Sequence, residues 1–181
     1  MGDDITTTVG TDDEIDPGLL VAARGICDTT FGVSFSADDW RHTRGGVRLL
    51  LFDAGLLVGH AAVVPRSIGF GELTLRAGYV EGVAVLPDAQ ARGLGSRLLR
   101  AVNTVLERDG SEVGVLSTSR GSFYARLGWE PWQGPSFVRR AGGLVRTPDE
   151  DDGLMVLRVP ATPDLELAWP ITCDARPGDD W

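Results

Sequence analysis

The chain has 181 residues, 43% hydrophobic and 24% charged, which suits one compact domain with a sizeable core. Its formal net charge of -9 argues against nucleic acid, whose phosphates want a basic surface, and favours a cationic ligand. No apolar run approaches the roughly 20 residues of a membrane span, so no membrane partner is expected.

The N-terminal MGDDITTTVG lacks the basic and apolar regions of a secretory signal. It loosely fits the M-G-x-x-x-[ST] acylation pattern, but no basic cluster accompanies it, so it is expected to stay unmodified. Residues 5–9, ITTTV, are β-branched and predict a first strand. Asp16-Pro17 predicts a helix start, an acidic cap followed by proline at the first helical position, and the helix should run to about Phe31. Cys27 within it is far from Cys173 and neither sits in a CxxC. Two reduced thiols in a cytoplasmic protein are expected, with no disulfide and no metal site. Ser36-Ala37-Asp38-Asp39 resembles a capping box for a short helix through Arg44, stopped by Gly45-Gly46.

Strands Val47–Phe52 and Leu56–Val64 should flank a hairpin turn at Asp53-Ala54-Gly55. Leu73–Leu86 reads as a long strand whose internal Gly78 and Gly82 suggest a bulge or bend. Leu94, Leu98, Leu99, Val102, Val105 and Leu106 fall at helical spacing, and Asp109-Gly110 ends that helix. Val113–Ser117 is a further strand, Gly121–Leu127 a short helix with Gly128 beyond it, and Trp129–Arg140 and Leu154–Val159 later strands. From Pro160 the tail is rich in breakers. His42 and His60 lack ligand spacing and read as structural. The order predicts a mixed α/β sheet in one domain over residues 1–181.

The chemistry-bearing stretch is EGVAVLPDAQARGLG, residues 81–95. A phosphate-binding P-loop needs G-x-x-x-x-G-K-[ST], which is absent. A dinucleotide fingerprint needs a third glycine where the chain has Leu98. The physical case for an anion survives both failures. The helix that follows begins with unpaired amides and a positive dipole end. Gly93 and Gly95 allow close approach to the backbone, and Arg92 and Arg97 add charge.

A strand, then QARGLG, then an amphipathic helix matches Q/R-x-x-G-x-G/A and resembles the acyl-CoA pyrophosphate loop of the GNAT superfamily of N-acetyltransferases. SFYARLGW, residues 122–129, is similar to that superfamily's last helix and following strand. Further strings resemble one branch, the aminoglycoside 2'-N-acetyltransferases: DW at 39–40, GG at 45–46, HAAV at 60–63, GYVEGVAV at 78–85 and LSTS at 116–119. GWEPWQGP at 128–135, RTPD at 146–149, DDG at 151–153 and the terminal CDARPGDDW extend the likeness from about residue 30 to the end.

The resemblance implies a GNAT fold, an α/β (α+β) architecture. Its central mixed, largely antiparallel sheet would have a splayed, bulged strand pair and flanking helices. It implies acetyl-CoA as cosubstrate with no metal, an aminoglycoside as polycationic acceptor, antibiotic resistance as outcome, and a homodimer. Val83, Ala84 and Val85 would line the pantetheine arm, and Gln90, Ala91, Arg92, Gly93, Leu94 and Gly95 would bind the pyrophosphate. Glu81 would be a general base acting through water, Tyr124 the general acid for the leaving thiolate, and the Val83 amide a donor to the thioester oxygen. Asp39, Glu81, Gly82, Ser117, Asp151, Asp152, Asp179 and the carboxylate of Trp181 would hold the sugar rings. Ser34 stands where the branch can carry an acid.

Acetyl transfer needs a neutral amine, an oxyanion donor and a proton for the thiolate. The acidic clusters suit a polycation and raise its encounter rate. Neither cysteine sits in a nucleophile motif, which favours direct attack in a ternary complex without an acyl-enzyme. The carboxylates would equally accept another cytosolic polyamine-like or small amine, and a non-catalytic acyl-CoA or antibiotic-binding module is a third reading. Each residue also has a plain structural reading. Glu81 could be an edge charge, Tyr124 a core aromatic, Asp39 a cap, Asp149–Asp152 a solvated loop and Trp181 a frayed end, with Asp180 expected to be solvated.

Overall fold

The structure is a computed structural model and describes residues 4–181. Gly2, which the acylation pattern would modify, lies outside the described residues. The chain divides into two compact units, residues 1–64 with 80–105, and 65–79 with 106–181.

In the first unit, β1 (Ile5–Thr11), β2 (Val47–Asp53) and the first part of β3 (Leu56–Phe70) form an antiparallel run. Val9 lies opposite Leu49, and Leu49 opposite Ala61. Helix α1 (Pro17–Phe31) starts as its sequence predicts: Asp16 accepts from the amides of Gly18 at 2.7 Å and Leu19 at 3.3 Å. Such a cap contributes about 1 kcal/mol. The inner face of α1 buries Ala23, Ile26 and Cys27 beside Leu50 and Ala84, with Trp40 and Leu57 packed around them. Helix α2 (Ala37–His42) carries the expected capping box but ends two residues before Arg44, because Thr43 turns its hydroxyl back onto the Trp40 carbonyl at 2.7 Å.

Strands β3 and β4 (Leu73–Val85) are neighbours in the sheet and run from one unit into the other. Strand β3 continues six residues past the predicted end at Val64. Ile68 and Phe70 are fully buried, and Gly69 and Phe70 pair with β10 (Ile171–Asp174), a strand the tail's breakers conceal.

The second unit orders its strands β6-β9-β5-β4-β3-β10-β7-β8. These are β5 (Val113–Ser117), β6 (Glu130–Pro131), β7 (Ser136–Arg140), β8 (Gly143–Arg146) and β9 (Leu154–Leu157). The predicted strand over Trp129–Arg140 is two strands, because residues 132–135 leave the ladder. There Trp132 donates its indole N–H to the Trp169 carbonyl at 2.9 Å. Pairing is antiparallel for β5–β9, β6–β9 and β7–β8, and parallel for β4–β5 and β7–β10. Its core joins Phe70, Tyr79, Val115, Trp132, Val156, Ile171 and Trp181. The expected mixed, largely antiparallel sheet is present. Helices α3 (Leu94–Arg108) and α4 (Gly121–Ala125) complete the chain, and α3 buries Leu94, Leu98, Leu99, Val102 and Leu106 as its spacing predicts.

Candidate functional site

In the first unit, β4 carries Glu81, Gly82 and Val83, all partly exposed, followed by buried Ala84 and Val85. The parallel β4–β5 register spans Ala77–Tyr79 opposite Val113–Val115 and ends there. Gly82 has φ 57°, a left-handed conformation that turns the strand between Glu81 and Val83. Its carbonyl accepts from His60 Nδ1 at 2.8 Å, with the Cys27 thiol 3.7 Å away. Burial is the main force that lowers the His60 pKa to about 4, so the ring is neutral. Burial likewise pushes the Cys27 thiol up to about 12 and, in the second unit, the Cys173 thiol up to about 11. Both stay protonated and neither is a nucleophile.

After β4, a single turn at Pro87–Ala89 leads into the loop. Gln90 donates its side-chain amide to the Val85 carbonyl at 2.9 Å, tying the loop to the strand end. Ala91 at φ 62° and Gly93 at φ 77° both take left-handed backbone. Nothing lies within 4 Å of where a Gly93 side chain would begin. The loop ends on the first turn of a fifteen-residue helix whose leading amides lack helical partners. This open, exposed backbone fits a pyrophosphate. Arg92 is ion-paired with Asp53, and Arg97 donates to the Ile5 carbonyl at 2.9 Å, so backbone amides rather than free guanidinia characterise the cradle. Ser34 is exposed and donates to the Phe31 carbonyl at 2.7 Å. Asp39 accepts from the Ser36 amide at 2.7 Å as the capping-box acid.

The second unit holds the other candidates. Tyr124 on α4 is buried, packed edge-on against Trp129 at 6.1 Å between centroids. Desolvation pushes its pKa up to about 12, opposed by Arg120, so the phenol keeps its proton throughout the neutral range. Ser117, at the end of β5, donates to Glu150 at 3.2 Å. The Glu150 carboxyl is raised by burial and then by the negative charge of Asp179. Asp151 is fully engaged. It forms a two-point ion pair with Arg146 and accepts from the Ser136 amide at 2.9 Å and hydroxyl at 2.8 Å. The Arg146 guanidinium is the largest influence holding its carboxyl down at about 2. Asp152 and Asp179 are exposed.

Trp181 packs into the core of this unit. It is 4% exposed, its indole N–H donates to Thr147 at 3.2 Å, and its backbone oxygen accepts from Arg176 at 3.1 Å. Asp180, expected to be solvated, instead pairs with Arg140 and accepts from the Arg176 amide at 3.0 Å. Thus Ser117, Glu150 and Asp179 gather, Asp179 with Trp181 forms the tail turn, and Asp151 faces its own arginine. Glu150 is not among the sequence-derived candidates. The acidic run at 149–152 signals it only as one carboxylate of four. Among the described residues no helix is long and apolar enough to cross a membrane, and no group of three or more His, Cys, Asp or Glu could hold a metal ion.

The family model of the acetyltransferase (GNAT) domain matches residues 19–132. The chain belongs to the GNAT family of acetyltransferases. It is 42% identical over 173 residues to an aminoglycoside 2'-N-acetyltransferase of Mycolicibacterium fortuitum, covering 93% of this chain and 88% of that protein. Among solved GNAT structures, an Escherichia coli family member in complex with CoA aligns with a TM-score of 0.70 at 16% identity, over 96% of this chain and 91% of that one. A GCN5-related N-acetyltransferase from Kribbella flavida aligns with a TM-score of 0.61 at 22% identity, over 74% of this chain. This chain spans 34% of that relative's length. These structural likenesses carry the GNAT fold, and the bulged β4 followed by a glycine loop and α3 lies within the residues the GNAT family model matches.

Proposed function

We propose that this protein transfers an acetyl group from acetyl-CoA to the 2'-amine of aminoglycosides by direct attack in a ternary complex, and so confers resistance. The observation that carries this reading is the 42% identity to an aminoglycoside 2'-N-acetyltransferase along 93% of the chain. Acetyl-CoA supplies the activated thioester. The amides of Gln90 through Gly95 receive its pyrophosphate, and Val83, Ala84 and Val85 line the arm. The Val83 amide donates to the thioester oxygen as negative charge grows there. Glu81 takes the proton of the attacking ammonium through water, leaving a neutral amine. Tyr124, protonated by virtue of its pKa near 12, gives its proton to the departing thiolate. Protonated Cys27 and Cys173 support direct attack over an acyl-enzyme.

Asp39, Gly82, Ser117, Asp152, Asp179 and the Trp181 carboxylate bind the aminoglycoside in this reading. Asp151 contributes chiefly by fixing Arg146, and Ser34 offers a neutral hydroxyl. The cytoplasm, where acetyl-CoA is available, is the proposed location. A homodimer belongs to the same proposal, supported by the exposed Leu144 and Val145 on the end strand β8, and sedimentation measures it.

The test pairs acetyl-CoA with an aminoglycoside bearing a free 2'-amine, and with a matched one bearing a 2'-hydroxyl. CoA release is expected with the first alone. Equal turnover of both would refute the regiochemistry. A larger kcat/KM for a simple polyamine would move the main acceptor to that class.

A further inference from the structure

Beneath the Gly82 turn lies a buried polar chain that the proposed reaction steps do not use. His60 is fully buried and Arg48 is 1% exposed. Arg48 pairs through Nε with Asp12, donates through Nη1 to Thr43 Oγ1 at 2.9 Å, and lies 4.5 Å over the Trp40 ring. The same Nη1 lies 3.0 Å from His60 Nε2. A guanidinium has only donors, so His60 Nε2 must present its lone pair. The ring proton therefore sits on Nδ1, where it is donated to the Gly82 carbonyl at 2.8 Å. A charged arginine thus selects the histidine tautomer that grips one backbone carbonyl of β4. That carbonyl belongs to the one residue of the strand with positive φ.

We propose that Asp12, Arg48 and His60 form a positioning relay that sets the β4 bulge at Gly82, and thereby aims the Glu81 carboxylate and the Val83 amide on either side of it. A carbonyl turned toward His60 orients the Gly82–Val83 peptide plane, and the left-handed φ of Gly82 links that plane to the Glu81–Gly82 peptide. The first plane contains the Val83 N–H, and the second leads back to Glu81. Leu86 keeps its own bond to the Val58 carbonyl at 2.9 Å, and the Gln90–Gly95 loop lies further along, so the relay bears on the reacting centre rather than on the cosubstrate grip. The inference rests on the roles proposed above for Glu81 and Val83.

Three substitutions at His60 separate this relay from generic core packing. Asparagine places an amide N–H where Nδ1 stands, glutamine places one nearer Nε2, and leucine supplies neither. His60→Leu and His60→Gln should lower kcat about 100-fold, the loss expected for misplacing a reacting group by about 1 Å. His60→Asn should stay within about fivefold of wild type, and the KM for acetyl-CoA should move less than about twofold in all three. Equal losses in the asparagine and glutamine variants, or a KM that moves with kcat, would overturn the relay, as would full activity in a folded His60→Leu.

If the variants do not fold, 15N NMR of the wild-type imidazole decides. An Nδ1–H tautomer is the expected result, and an Nε2–H tautomer overturns the proposal. Should the wild type acetylate a different amine, the kcat series is run on that amine. Should it acetylate none, the proposed function fails by itself, while the tautomer and the Gly82 carbonyl shift in the three variants still test the relay.

Discussion

Gly82→Ala perturbs the turn on which Glu81 and Val83 depend, and its cost can be worked from two separate terms. The backbone there has φ 57°, which costs an alanine about 1–2 kcal/mol. The new methyl would stand 3.1 Å from Thr43 Cγ2 and 3.3 Å from His60 Cε1 and Nδ1. Thr43 and His60 are held by Arg48, so neither yields freely, and overpacking adds about 1–2 kcal/mol. The total is about 3 kcal/mol, a fall in Tm of roughly 6–12 °C for a chain of this size. Gly93→Ala supplies the control. Its φ of 77° carries the same backbone cost, but nothing lies within 4 Å of the added methyl, so Tm should fall by roughly 2–8 °C. Differential scanning fluorimetry reads both, and single-turnover acetylation reads the chemistry. Gly82→Ala should lower kcat about 100-fold, while Gly93→Ala should act mainly on the KM for acetyl-CoA. A Tm loss in Gly82→Ala no larger than in Gly93→Ala would refute the crowding argument.

Tyr124→Phe should lower kcat by about 100-fold or more, the usual worth of a general acid. With the phenol near pKa 12, wild-type kcat should show no alkaline loss attributable to Tyr124 below pH 11, and a tyrosine-type limb near pH 10 would refute the buried acid. The Asp151 carboxyl is depressed in the folded protein to about 2, so its contribution is present above the unfolded value near 4 and is lost as pH falls through about 2. Asp151→Asn should therefore cost stability at pH 7, about 1 kcal/mol after allowing for a side chain 29% exposed and screened by water, and the difference from wild type should vanish near pH 2 in acid-unfolding curves. Trp181→Ala removes the indole of a residue that is 4% exposed. It should cost about 3–5 kcal/mol in denaturant unfolding, and a loss below 1 kcal/mol would mean the tail is not part of the core.

The segments legible in the sequence are those whose signals are contiguous. Asp16-Pro17 starts α1 and Ser36 with Asp39 caps α2 because a cap is made within three residues. The β4–loop–α3 stretch was readable for the same reason. Glycine placement, the strand pattern and the 3.6-residue stripe all report local backbone stereochemistry, and that stretch carries both the proposed cosubstrate loop and Glu81. Strand β10 was not readable. Its four residues are held by Phe70 on one side and Ser136 on the other, and only the closed chain supplies those partners.

Side-chain commitments follow the same division. Sequence alone specified that residues 149–152 are acidic. Folding decided that Asp151 faces Arg146 while Glu150 meets Ser117. Sequence marked His60 as a histidine without ligand spacing, and folding set its Nδ1 against Gly82, 22 residues away. The division has one physical cause. A local signal needs only the dihedral preferences of neighbouring residues. The partner of a buried polar group is chosen by whichever donor or acceptor the packed core brings within 3 Å of it, since leaving it unpaired costs about 1–3 kcal/mol.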